Sequence, residues 1–150
     1  MPQIRVILGS KSDLPACEPL RQVLEEFGLD YDLQVSSAHR APERTAGLAR
    51  NAESEGVSVI IALAGMAAHL PGVVAAHTTL PVIGVPLASG GLGGMDALLS
   101  VAQMPPGVPV ACVAVGGAKN AALLAIQIIA VSNPDLRERF RAYKEGLARA

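Results

Sequence analysis

Three short stretches of this sequence carry residue types that bind anions and move protons. Gly9-Ser10-Lys11-Ser12-Asp13 offers hydroxyls, a carboxylate and free backbone N–H groups at what reads as a strand-to-helix turn. Such a turn suits a phosphate or a ribose, because the start of a helix adds positive potential. The alternative is that Ser12 or Asp13 caps the helix, which leaves a cap oxygen little capacity for a ligand. Ser36-Ser37-Ala38-His39-Arg40 sets another hydroxyl, an imidazole and a guanidinium side by side. Arginine presents a planar fork that matches phosphate. Histidine is the side chain that ordinarily changes charge near neutral pH. His39 is thus a candidate proton carrier, against the alternative of a solvated or structural loop histidine. The third stretch, Ala64-Gly65-Met66-Ala67-Ala68-His69-Leu70-Pro71-Gly72, is small and uncharged. It would let a ligand approach the backbone closely, although tight helix–sheet packing asks for the same residues.

Other chemistries find less support. Gly9–Asp13 is neither a Walker loop nor a dinucleotide fingerprint. His69 and His77 are not at the i, i+4 spacing of a helical metal pair, and no cysteine or carboxylate accompanies them, so no metal site is expected. Lys119 and Asn120 follow Gly116-Gly117-Ala118 and could reach a phosphate or a neighbouring subunit, or simply end in solvent. Asp96 reads equally well as a cap beside the run Ser89-Gly90-Gly91-Leu92-Gly93-Gly94.

The elements that must position these stretches alternate along the chain. Strands are expected at Ile4–Leu8, Tyr31–Val35, Val57–Ala64, Val82–Val85 and Val110–Val115. Helices are expected from Pro15 to Phe27, from Pro42 to about Glu55, near Leu70–His77, around Met95–Ala102, at Ala118–Val131 and at Asp135–Ala148. Short strand–helix connections argue for a parallel sheet wrapped by helices, here one domain spanning residues 1–150. In such a sheet the ligand site lies beyond the carboxyl ends of the strands. Gly9–Asp13, Ser36–Arg40, Ala64–His69 and Pro86–Gly94 all fall there.

Composition narrows the partners. The net charge is −1 and there is no tryptophan, so neither the electrostatic pull nor the stacking platforms of a nucleic-acid binder are present, and a flavin site is equally unsupported. Between Gly56 and Pro134 the only charged side chains are Asp96 and Lys119. A stretch that long cannot be buried wholly inside one small domain. Its many prolines and glycines break any membrane-length helix. The expectation is therefore a homo-oligomer whose middle forms subunit contacts. Cys17 and Cys112 form no CxxC pair and read as ordinary reduced thiols. With a strand beginning at Ile4, no room is left for a signal peptide, and a cytoplasmic location is expected.

Taken together, the motifs resemble a known family. Gly9–Asp13, Ser37-Ala38-His39-Arg40-Ala41-Pro42 and Ala67-Ala68-His69-Leu70-Pro71-Gly72 are similar to those of the 5-(carboxyamino)imidazole ribonucleotide mutases of purine biosynthesis. Leu80–Pro86, Gln103-Met104-Pro105 and Ala118-Lys119-Asn120-Ala121 extend the likeness from about Ile4 to Ala130 in unbroken order. Leu63 and Met66 stand where that family usually has glycines. The resemblance implies a three-layer α/β/α flavodoxin-like domain with a five-stranded parallel sheet, assembled as a homo-octamer. It implies a phosphorylated imidazole ribonucleotide substrate and a reaction needing no metal or organic cofactor. Ser10 and Asp13 would hold the ribose-phosphate end, with Ser12, Ser37 and Arg40 on the phosphate. His39 would be the acid–base, and His69 with the backbone near Gly65 and Leu70 would shape the carboxylate pocket.

That chemistry suits the residue types. A carbamate loses CO2 more readily when its carboxylate leaves water and its nitrogen gains a proton. Ala64–Ala68 offers the uncharged wall and protonated His39 the proton. A direct CO2-using aminoimidazole ribonucleotide carboxylase is the alternative within the family; it tends to have lysine where this chain has Arg40, which favours the mutase. A non-catalytic flavodoxin-like binding module, or an inactive structural oligomer, would leave the Ser, His and Arg loops unexplained.

Overall fold

The computed structural model describes residues Met1–Ala150. Five strands, β1 (Ile4–Leu8), β2 (Tyr31–Val35), β3 (Val59–Gly65), β4 (Val82–Leu87) and β5 (Ala111–Cys112), form one sheet in the order β2-β1-β3-β4-β5. Every pairing is parallel. The strand order reverses between β1 and β3, so the connections leave those two strands toward opposite faces. A crevice opens at their carboxyl ends, the place where doubly wound sheets bind ligands.

Six helices cover the sheet: α1 (Glu18–Glu26), α2 (Pro42–Asn51), α3 (Leu70–Ala76), α4 (Met95–Ala102), α5 (Ala118–Ala130) and α6 (Pro134–Ala148). Side chains alternate across each strand, which divides the core in two. Ile4, Val6, Leu8, Ile61 and Leu63 face Leu20 and Leu24 of α1 and Ile126 of α5. Ile7, Ile60 and Ala62 face Ala49 of α2, Val74 of α3 and Val101 of α4. The result is three layers, with α6 packed outside α5 through the fully buried Leu136. Burying each such leucine or valine stabilises the fold by roughly 1.5–3 kcal/mol.

The sequence-based boundaries shift in several places, and β3 runs Val59–Gly65 rather than Val57–Ala64. A 3₁₀ segment, Lys11–Cys17, precedes α1 and holds Pro15 inside it. α2 ends at Asn51 because the chain tightens there. The Glu55 N–H is shared between the Asn51 and Ala52 carbonyls, and Gly56 then takes φ 90°. β4 runs on to Leu87. β5 is cut to two residues. Pro109 removes a ladder donor, and beyond Cys112 the chain already turns, with Gly116 at φ 72°. The terminal helix begins at Pro134, one residue early, with the Asn133 side chain accepting from the Leu136 N–H.

Candidate active site

Four loops meet at the carboxyl ends of β1 to β4 and enclose a cavity of about 430 Å³. Ser10, Ser12, Asp13, Ser37, His39, Arg40, Gly65, His69 and Leu70 all line it. The stretches that the sequence singles out, separated by up to about 60 positions, thus become neighbours.

The loop after β1 settles the capping question. Ser10, not Ser12 or Asp13, is the cap: its Oγ accepts from the Ser12 N–H at 3.3 Å and lies 2.9 Å from Ser12 Oγ. The Asp13 carboxylate is therefore not spent on the helix start. Burial pushes its carboxyl up from the usual range, and a backbone hydrogen bond from Ser10 pulls it partly back. An acid held this way gains from a ligand that donates hydroxyl hydrogens to it, as a ribose does.

After β2 the chain makes a compact turn. The Ser36 hydroxyl lies 2.7 Å from Thr45 Oγ1, a buried contact that ties the turn to α2. The Ala41 N–H donates to the Ser37 carbonyl and the Arg40 N–H to Ser37 Oγ, at 2.9 and 3.1 Å. These bonds fix the backbone and leave the side chains of His39 and Arg40 exposed at the cavity mouth. Arg40 takes part in none of the ion pairs of the chain, so its guanidinium remains available to an anion.

The loop after β3 supplies the opposite wall. Gly65 lies against the loop after β4 so closely that a Cβ there would sit 1.7 Å from Ser89 Oγ. Met66 adopts φ 55°, the one non-glycine residue in the left-handed region, and its side chain lies over Gly90. Such a conformation costs about 1–2 kcal/mol. His69 is the first flank of α3, and its Nδ1 lies 2.6 Å from His39 Nε2, with the two rings near perpendicular at 81°.

Two features escaped the sequence. Ser89 lines the cavity as well; its place in the Pro86–Gly94 segment on the ligand edge was the available signal. The His39–His69 contact spans 30 positions and has no sequence signal. Conversely, Lys119, Asn120 and Asp96 lie outside the cavity. Asp96 sits in the first turn of α4 with a buried Oδ1 that meets no partner. His77 flanks the far end of α3, 3.4 Å from Arg50. No group of three or more His, Cys, Asp or Glu side chains is placed to hold a metal ion. Cys17 and Cys112 are both free, and burial raises both thiols, Cys17 to about 11, which makes them poor nucleophiles.

The arrangement can hold a phosphate at Arg40 and Ser37, a sugar at Asp13, and an aromatic or carboxylate group between the histidine pair and an uncharged wall. Similarity to known proteins points the same way. Residues 3–150 match the family model described as AIR carboxylase. The N5-carboxyaminoimidazole ribonucleotide mutase of Pyrococcus abyssi is 54% identical over 149 residues, covering 99% of this chain and 86% of that protein. The enzyme of the same name from Thermotoga maritima is 51% identical, covering 99% and 87%. The crystal structure of Treponema denticola PurE superposes with a TM-score of 0.87 at 29% identity, covering 99% of this chain and 93% of that one.

Proposed function

The chain belongs to the AIR carboxylase family, and from that membership we propose that it is an enzyme of purine biosynthesis, an N5-carboxyaminoimidazole ribonucleotide mutase. The observation that carries this reading is the convergence of an anion-binding turn, a proton carrier and an uncharged wall on one cavity. Full-length relatives bearing the mutase name support it.

The substrate carries a carboxylate on the exocyclic nitrogen of an aminoimidazole ribonucleotide; the product carries it on C4. Arg40, Ser37 and Ser12 take the phosphate, and Ser10 and Asp13 take the ribose-phosphate end. His69 and the backbone at Gly65 and Leu70 form the carboxylate pocket. Protonated His39 gives its proton to the exocyclic nitrogen as the C–N bond breaks and CO2 departs. CO2 stays against the Ala64–Ala68 wall, which carries no charged side chain and has the Ser89 hydroxyl beside Gly65 at its edge. C4 then bonds to CO2, and neutral His39 removes the C4 hydrogen to restore the aromatic ring. One proton leaves His39 and one returns, so the cycle closes with no net change. A positioned acid–base of this kind contributes roughly 10²–10⁴-fold.

His39→Asn is expected to abolish turnover while retaining product binding by calorimetry. Near-normal turnover in that variant would refute the assignment. The direct carboxylase remains the second reading, because the family description itself names that reaction. The presence of Arg40 and the names of the relatives favour the mutase.

The working form is a homo-octamer. Leu92, in the turn before α4, and Met95 and Leu99 of α4 are at least half exposed, within the stretch that holds only two charges. Left in water, that apolar face is costly. Light scattering that finds only monomer on dilution would overturn this. The site of action is the cytoplasm: both cysteines are free thiols, and no helix is long and apolar enough to cross a membrane. A tagged chain found outside the cytoplasm would contradict it.

A further inference from the structure

We infer that His69 is the positioning residue of the proton carrier: its Nδ1 holds the Nε2 hydrogen of His39 and so fixes which nitrogen of His39 moves the shuttled proton. This rests on the reading of His39 as the acid–base.

The geometry is specific. The two nitrogens are 2.6 Å apart, at the short end for a hydrogen bond, and the ring centroids 4.7 Å. Each backbone is held independently of the ring it carries. The His69 N–H donates to the Ala67 carbonyl, its own carbonyl accepts from the Val73 N–H, and Leu70 and Pro71 behind it are buried. The turn around His39 is closed by Ser37. Both side chains are exposed, and the contact between them is the one side-chain hydrogen bond either makes. An exposed imidazole has two soft torsions. Only this bond restricts them, and proton transfer demands placement to within about 1 Å.

The direction of the bond follows from the charge states that the cycle needs. A cationic imidazole donates from both nitrogens, a neutral one from a single nitrogen. If His39 Nε2–H donates to His69 Nδ1, the same bond serves both states. Nδ1 of His39 is then the nitrogen that gives its proton to the substrate nitrogen and recovers one from C4. If His69 donated instead, the bond would have to reverse whenever His39 became cationic. The orientation that persists leaves His69 neutral, with its own hydrogen on Nε2. The partner of one ring nitrogen thus sets the task of the other.

The test compares wild type, His69→Ala, His69→Asn and His39→Asn in the full chain. The Asn Oδ1 falls near the place of Nδ1 and can accept the same hydrogen; alanine offers nothing. His69→Ala should lower kcat by about ten- to a hundredfold, a loss separate from the rise in KM that removing a carboxylate-pocket side chain brings, and His69→Asn should recover most of the kcat loss. Nitrogen-15 spectra should show neutral His39 carrying its hydrogen on Nε2 in wild type and His69→Asn, and a tautomer mixture in His69→Ala. Unchanged kcat in His69→Ala, a rise in KM alone, an Asn variant no better than alanine, or a wild-type hydrogen on Nδ1 would each overturn the inference. An active His39→Asn would instead overturn the proton-carrier reading. A dead His39→Asn beside a fully active His69→Ala would remove only the role given to His69.

Discussion

Replacing Gly65 by alanine asks whether the loops after β3 and β4 close on each other to make one wall of the cavity. A Cβ at Gly65 would lie 1.7 Å from Ser89 Oγ, 3.0 Å from Ser89 Cβ and 3.3 Å from the Leu87 carbonyl oxygen. The hydroxyl can rotate away, at a cost of about 0.5–1.5 kcal/mol if it leaves its rotamer well. Ser89 Cβ belongs to the loop after β4 and the Leu87 carbonyl to the last residue of β4, so the backbone there must give. Overpacking costs about 1–3 kcal/mol, and the freedom of the hydroxyl places Gly65→Ala in the lower half, at about 1–2 kcal/mol. In a chain of this size that lowers the melting temperature by about 2–8 °C. The displaced wall should also reduce kcat by about tenfold. Ser89→Gly removes both side-chain atoms in the way, so the double variant should regain most of the lost stability, as a coupled pair does. Calorimetric melts of the four proteins measure this directly. A Gly65→Ala loss of the same size with and without Ser89 would show that the two loops do not meet as described.

Two further substitutions test the site from other directions. Because burial raises the Asp13 carboxyl, ionising it opposes folding: the penalty is absent below the unfolded value, grows as pH rises toward the folded one, and is complete above it. Asp13→Asn should therefore be more stable than wild type at neutral pH, with the gap closing as pH falls into the ordinary carboxylate range, while nucleotide affinity drops by about tenfold; urea titrations at several pH values and calorimetry check both, and a gap that widens on acidification would contradict the reading. Met66→Gly should relieve the left-handed backbone and stabilise by about 1 kcal/mol, seen as a rise of about 2–4 °C in the melt; a fall would show that the thioether over Gly90 contributes more than the strain costs.

Local patterns made much of this molecule legible. Ile4–Leu8, Tyr31–Val35 and Met95–Ala102 come out at their expected bounds, because short apolar runs bounded by glycine or polar turns leave few alternatives. The ligand edge followed from strand–helix alternation alone, since parallel connections leave all carboxyl ends on one side. What stayed hidden depended on contacts distant in sequence. Arg5 lies inside the apolar first strand and is 4% exposed. It is held by Asp32, its neighbour in register on β2, at 2.7 Å, and by Glu55 at 2.5 Å. No local pattern announces those partners. The shortened β5 reflects Pro109 ahead of it and the turn that begins after Cys112, although β4 runs on to Leu87. The histidine pair needs the loops after β2 and β3 to come within hydrogen-bonding reach, which only the folded sheet decides.

Movement of the carboxylate within one bound nucleotide separates the mutase from the direct carboxylase, so the decisive measurement offers the purified protein both substrates in CO2-depleted buffer. Steady conversion of the N-carboxylated nucleotide to the C4-carboxylate is expected with no added CO2 or bicarbonate, and that conversion should be lost in His39→Asn. Turnover that requires aminoimidazole ribonucleotide and added CO2, or conversion undiminished without His39, would contradict this expectation.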